Sequence, residues 1–367
     1  MDKKFFKEAP NSGLEFIKTL QKNNSFSFKP ANNGLTEWGS TLTLGFSCLA
    51  LKSYFMTSEW SKLSDSKKSK WLSYINSFQA TKSRFPTNSY IDEAMIKSYT
   101  NQSLGQKSKE YLKYFLNLIP SYNFDLLNTK LNKAINAETK QAVATLHEVG
   151  SLNLKPIKNF YFEGNNVIDY LNSLDWSKPW SSGAQFSSIC VFSTTQNLGL
   201  NKDLDIFIDS LVDKNTGSYF TKLPNSTREV INGAMKVISG LDWLEKEIHY
   251  PKQLIDFCLD NSPVLEGCDV VDFVYVLYKC NLQVNYRRKE ISKLFEVVLN
   301  DLKKLYVGKD GGFSYFEGKS QTHYYGVEIT KGLNCADIHS TTLCIWSILM
   351  ILDFLGEIDP EMNIIKP

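Results

Sequence analysis

The sequence predicts an all-α protein, an α/α toroid (barrel) of about six helix hairpins in which inner apolar helices are ringed by outer amphipathic ones. Helical periodicity runs along nearly the whole chain. Amphipathic segments alternate with segments that are apolar nearly all round, which describes two concentric layers. The apolar segments also recur at the period of a two-helix repeat.

Thr41–Phe55 is apolar on every side and must therefore be buried on every side. Ser66–Phe78 and Lys109–Leu118 carry polar faces rich in Lys, Asp and Glu, which suits an outer layer, and Ile91–Tyr99 supplies a further helix between them. Thr139–Leu146, Phe186–Ser193, Val230–Leu241 and Val270–Tyr278 are again apolar. Val167–Leu174, Asp203–Val212 and Pro251–Leu259 alternate with them as amphipathic segments. Arg288–Leu305 shows Leu294, Phe295, Val298, Leu299, Leu302 and Leu305 at helical spacing, and Thr341–Leu355 closes the series as the last inner helix. Inner helices are expected to begin at Glu37, Glu138, Gln185, Glu229 and Asp269. The last four starts lie 40 to 47 residues apart, while the 101 residues from Glu37 to Glu138 leave room for one more pair.

No Pro/Gly/Ser-rich linker, charge block or shift of composition divides the chain, so residues 1–367 read as a single domain despite the length. Hydrophobic residues make up 43% and aromatics 13%, enough to fill a core and leave rings over to line a cavity. Forty-one basic against 39 acidic residues give a formal charge of +2, with the basic ones scattered over polar helix faces. A nucleic-acid footprint would be a concentrated basic stripe, so no nucleic-acid partner is expected. Seven cysteines, an odd number set mostly in apolar runs, read as buried free thiols of a reducing compartment. The charged Met1–Glu8 stretch has no apolar segment of signal-peptide length, and Leu343–Leu355 is too short to span a bilayer. A cytoplasmic location without a transmembrane segment is the expectation.

Asp213-Lys214-Asn215-Thr216-Gly217-Ser218-Tyr219-Phe220 is echoed by Asp310-Gly311-Gly312-Phe313-Ser314-Tyr315-Phe316, with Ser-Tyr-Phe displaced by 96 residues. Asp and Gly make a tight turn, and the aromatics pin it to the barrel wall. The Asp-Gly-Gly-Phe turn resembles the one repeated in the terpenoid-cyclase and protein-prenyltransferase β-subunit superfamily, itself built on an α/α toroid. Prenyltransferase β-subunits hold a zinc ion with an Asp-Gly-Cys at one inner-helix start and an Asp-x-x-His at a later one. Glu266-Gly267-Cys268 and Asp337-Ile338-His339 stand in comparable places. The resemblance implies Glu266, Cys268 and His339 as zinc ligands, with Glu in place of Asp and the His one residue nearer its Asp. It also implies an isoprenoid or other elongated apolar substrate, and it leaves room for a partner subunit. Protonation-initiated cyclases use Asp-x-Asp-Asp; here Asp269-Val270-Val271-Asp272 puts Val271 where the acid stands, so Asp269 or Asp272 would have to substitute.

Read without the family, a toroid's parallel inner helices gather their N-termini at one mouth of the cavity, where acidic side chains and anionic ligands are favoured. Glu37, Trp38, Glu138, Gln185, Glu229, Asn232, Asp269, Asp272, Asp337 and His339 fall at or near those starts. Acidic residues in first turns also stabilise helices on their own account. Asn232 and Asp272 sit among apolar neighbours, where a polar group must be paired or face a wet cavity. A buried carboxylate of that kind takes a raised pKa and can act as a general acid.

His323-Tyr324-Tyr325 and Asn334–His339 form the densest patch of proton-transfer residue types, with His339, Asp272, Asp337, Tyr325 and His323 as the catalytic candidates. Glu37, Trp38, Trp180, Gln185, Glu229, Asn232 and Asp269 are the substrate-binding candidates. His147 and His249 read as structural. Trp176 and Trp180 stack on a substrate or wedge a loop.

Three functions fit these residues. The first is an enzyme of the prenyltransferase or cyclase kind acting on a small-molecule or lipid-like substrate. The second is a carbohydrate-active lyase, epimerase or hydrolase, for which Arg228 is the nearest cation to hold a uronate carboxylate. The third is a non-catalytic binding or scaffold protein. No phosphate-cradling loop, nucleophile elbow or His-Glu-x-x-His pattern occurs.

Overall fold

The computed structural model describes residues 2–23, 25–101, 104–119, 124, 126–162, 166–261 and 267–367. The described chain is mainly helical. Its first part holds α1 (Lys3–Thr19), α2 (Glu37–Thr41), α3 (Leu44–Met56), α4 (Glu59–Lys62), α5 (Asp65–Asn76), α6 (Glu93–Thr100), α7 (Leu104–Leu116) and α8 (Leu127–Glu148). The second part holds α9 (Val167–Asn172), α10 (Pro179–Gln196), α11 (Asn201–Asp209), α12 (Thr227–Leu244), α13 (Pro251–Asp260), α14 (Asp269–Gln283), α15 (Arg288–Lys304) and α16 (Ile338–Phe354). Strands are two-residue pairs: β1 (Gln79–Ala80) with β2 (Ser89–Tyr90), β3 (Tyr306–Val307) with β4 (Gly312–Phe313), and β5 (His323–Tyr324) with β6 (Val327–Glu328), all antiparallel.

The long apolar helices pack in a cycle: α3 on α8, α8 on α10, α10 on α12, α12 on α14, α14 on α16, and α16 back on α3. Small residues set the closest of these contacts. A Cβ on Gly183 would come within 3.2 Å of the Gly233 carbonyl, and one on Gly240 within 2.9 Å of the Cys190 sulfur, so α10 and α12 lie nearly backbone to backbone. Helix starts meet helix starts along the cycle: Glu229 accepts a hydrogen bond from the Trp180 N–H, and Asn232 donates to Asp269. Helix ends meet ends, as where Thr194 donates to the Trp243 carbonyl and Tyr278 to Asp353. α10, α12, α14 and α16 therefore run parallel. α5, α11, α13 and α15 each pack against one or two members of the cycle.

Three expected starts move. The inner helix assigned to begin near Glu37 begins at Leu44, because α2 is a separate turn that ends at an extended Leu42. The Asp92 carboxylate accepts from both the Thr43 and Leu44 N–H groups at 2.8 and 3.1 Å and supplies the cap that Thr43 does not. Glu138 lies in the middle of α8, and Gln185 in the second turn of α10, whose first turn is set by Pro179.

Both recurring turns are built by their Asp and Ser. Asp213 accepts from the Asn215 and Thr216 N–H groups, and Ser218 donates to the Val230 carbonyl. Asp310 accepts from the Ala336 N–H, and Ser314 donates to the Leu305 and Phe316 carbonyls.

At the far rim the C-terminal residues lie across the helix ends. Asn363 donates to the Phe55 carbonyl, Trp243 donates to the Pro367 carbonyl, and Lys366 donates through its N–H to Glu148 and through Nζ to the Asp242 carbonyl. Among the described residues no helix is long and apolar enough to cross a membrane.

Candidate functional site

The helix-start end of the cycle collects most of the expected residues. Asp269, at the first turn of α14, accepts from Asn232 Nδ2 at 2.7 Å and pairs with Arg228 Nε at 2.8 Å. The Arg228 guanidinium also stands 5.2 Å from the Trp180 ring, so Glu229, Trp180, Arg228, Asn232 and Asp269 form one connected group.

One turn further in, Asp272 is almost fully buried, with one oxygen 3.5 Å from Lys236 Nζ and the other without a hydrogen-bond partner. Burial raises its carboxyl pKa to about 6, with nearby Lys236 holding it lower than burial alone would. The His339 ring stacks on Tyr315 at 5.8 Å, and its buried Nδ1 has no hydrogen-bond partner among the described residues. Burial, reinforced by the Lys236 charge, lowers the imidazole pKa to about 4, so His339 is neutral at neutral pH. Cys268 lies 3.1 Å from the Tyr315 hydroxyl, and burial pushes its thiol up to about 11.

Of the three implied zinc ligands, Cys268 is hydrogen-bonded to Tyr315, the same residue whose ring stacks on His339, and Glu266 lies outside the described residues. Among the described residues no group of three His, Cys, Asp or Glu side chains is placed to hold a metal.

Asp337 caps α16, accepting from the Ser340 N–H and hydroxyl and from the Gln321 N–H; burial raises its carboxyl to about 6 against those bonds. Tyr325 forms the tip of the β5–β6 hairpin at φ 45°, its carbonyl held by the Tyr99 hydroxyl and its ring 4.4 Å from Tyr324. Although Tyr325 is 38% exposed, the protein crowded around it, with the carboxyl of Glu138 adding to the effect, raises its phenol pKa. Glu138 is buried, neither oxygen is hydrogen-bonded among the described residues, and burial, with the charge of Asp92, pushes its carboxyl well up.

Other expected residues fall elsewhere. His323 is exposed beside Thr322 on the far side of the hairpin from its neighbour Tyr324, whose hydroxyl donates to Gln141. Glu37 is exposed on α2, and Trp38 is half-buried against the core. His249 bonds Asp209 and Tyr219, and His147 packs edge-on to Trp243.

The sequence reading missed the cations of the ring. Lys52 on α3, Lys140 on α8 and Lys236 on α12 stand beside runs of apolar residues, and that juxtaposition was the available signal. Lys140 makes no ion pair or hydrogen bond among the described residues. Burial and the charges of Lys236 and Lys52 lower its pKa to about 7. Thr129, Asn132, Lys133 and Asn136 share one stripe of α8 with Lys140. Above Lys140 this stripe lines a cleft of about 580 Å³ completed by Lys82, Arg84, Asn159, Tyr161, Tyr170 and Gln185. Arg84 is held there by Asn132 and the Asn128 carbonyl, and Tyr161 reaches Gln185 at 3.4 Å.

No protein-family model and no curated protein sequence matches the chain. Among solved structures, that of a polysaccharide lyase is similar at 12% sequence identity and a TM-score of 0.47, over 96% of this chain and 99% of that one. A likeness of that size carries no argument about what this chain does.

Proposed function

We propose that the cycle of helices is an α/α toroid and that the chain is a carbohydrate-active enzyme acting on an anionic sugar polymer at the toroid's mouth. The observation that carries this reading is the cleft lining: cations (Lys82, Arg84, Lys133), amides (Asn132, Asn136, Gln185) and phenols (Tyr161, Tyr170) in one place. Amides and phenols satisfy sugar hydroxyls, and fixed cations satisfy carboxylates. The interior lysines alone would serve a prenyl diphosphate equally well. The polar cleft favours the sugar, and a cationic interior opposes the carbocation that terpenoid cyclisation requires.

In the lyase form of this reading, Lys140 and Lys236 hold the substrate carboxylate and acidify the adjacent C–H. Neutral His339 takes that proton at Nδ1, and the electron pair forms the new C=C bond. The C–O bond to the leaving sugar then breaks, and its oxygen takes a proton from the Tyr325 phenol. The expected outcome is ultraviolet-absorbing unsaturated product from a uronate polymer, lost in Lys140→Gln and His339→Gln. Failure of pectate, alginate and hyaluronan alike to yield such product, together with diphosphate release from a prenyl diphosphate, would transfer the site to the isoprenoid reading.

A further inference from the structure

The α7 helix is mounted with its apolar side outward. Glu110 and Lys113 of α7, with Leu116 and with Asn117 just past its end, are half-buried: Glu110 pairs with Lys113 at 2.6 Å and accepts from the Leu127 N–H, and Asn117 bonds both backbone groups of Phe124. The opposite stripe is apolar and exposed, with Tyr111 at 69%, Leu112 at 59%, Phe115 at 61% and Leu118 at 68% exposure, and Tyr114 and Ile119 exposed beside it. This reverses the usual arrangement, in which a helix buries its apolar stripe against the core. A contiguous apolar face of this kind marks an interaction surface.

Charge selects the occupant. Glu110 is the one acidic residue of α7, and it is turned inward and neutralised by Lys113. Among the described charges of α7, Lys109 is exposed and Lys113 is taken up by Glu110, while exposed Lys130 at the start of α8 stands beside that pair. An apolar stripe of Leu, Phe and Tyr with lysine as its exposed charge is the pattern of a helix lying in a membrane interface, with the rings at headgroup level and the ammonium groups on anionic lipid.

We propose that α7 docks the protein on an anionic bilayer surface, with Tyr111, Leu112, Phe115, Leu118 and Ile119 entering the headgroup boundary. The face is separate from the cleft and the ring interior, so the inference stands apart from the carbohydrate reading.

The test is flotation of the full chain with vesicles of phosphatidylcholine alone or with about one-third phosphatidylglycerol. At low salt the bound fraction is expected to be about tenfold higher on the anionic vesicles and to fall as salt is added. Leu112→Ser/Phe115→Ser is expected to abolish recovery and Lys109→Glu/Lys130→Glu to reduce it, with unchanged thermal unfolding because all four side chains are exposed. Absence of wild-type binding at low salt, or full binding by Leu112→Ser/Phe115→Ser, overturns the proposal. So does sedimentation showing a wild-type dimer that the same double variant converts to a monomer, since the face would then belong to a second copy of the chain.

Discussion

Replacing Asp272 by Asn should stabilise the protein at neutral pH. The carboxyl is almost fully buried, and among the described residues one oxygen is unpartnered and its only ion pair is a 3.5 Å contact to Lys236. Its pKa rises from the ordinary 3.8 to about 6 on folding. A raised folded-state pKa means that the native state holds the proton more tightly. The favourable contribution is therefore complete below pH 3.8 and is lost as pH rises through about 6. Two units of pKa correspond to about 3 kcal/mol, all of it forfeited at pH 7. Asn cannot ionise, and its side-chain oxygen can still accept from Lys236. Wild type should thus lose stability between pH 4 and pH 6 in urea unfolding, while Asp272→Asn shows a flatter profile and the higher midpoint at pH 7. For a chain of this length the gain amounts to a few degrees in Tm. A variant less stable than wild type at pH 7 would refute the reasoning, because the Lys236 pair would then compensate the buried charge.

Two other perturbations test the frame and the interior charge. Asp92→Ala removes the acceptor for the Thr43, Leu44 and Ala94 N–H groups and should cost about 1–3 kcal/mol, measured as a lower urea midpoint with activity per folded molecule retained. Because Lys140 has its pKa at about 7, binding of an anionic ligand should be coupled to proton uptake. Affinity measured by calorimetry should rise from pH 8 to pH 6, and Lys140→Gln should flatten that dependence; a pH-independent affinity in wild type would remove Lys140 from the site.

The helical class and the inner segments were legible because apolarity on every side leaves a helix no exposed face to offer. Their beginnings were harder to place, since a polar residue inside an apolar run reads the same whether it caps a start or is buried in the middle. Glu138 and Gln185 were placed at starts on that ground, whereas the actual first turns carry Leu127 and Pro179. Asp92 escaped notice because it caps a helix nearly fifty residues before it in sequence, a contact no local pattern encodes. At the site, Asn232 and Asp272 were found by being polar among apolar neighbours, Asp269 by standing at a helix start, and His339 by lying in the densest patch of proton-transfer residue types. Lys52, Lys140 and Lys236 stand beside apolar runs but were set down to outer faces, and Tyr315 was assigned to a turn. The orientation of α7 was invisible, because an amphipathic pattern does not say which side faces the protein.

The C-terminal residues laid across the far rim bear on traffic. They tie the ends of α3, α8 and α12 together, and on the proposed toroid reading that leaves the helix-start mouth as the route by which a ligand would reach Lys140 and by which any product would depart. A well with one opening admits the end of a chain or a bend in it, but a polymer cannot thread through. Entry and exit then share one gate, and a processive enzyme would have to withdraw its polymer between turnovers. The length distribution of products from a long substrate would record that difference.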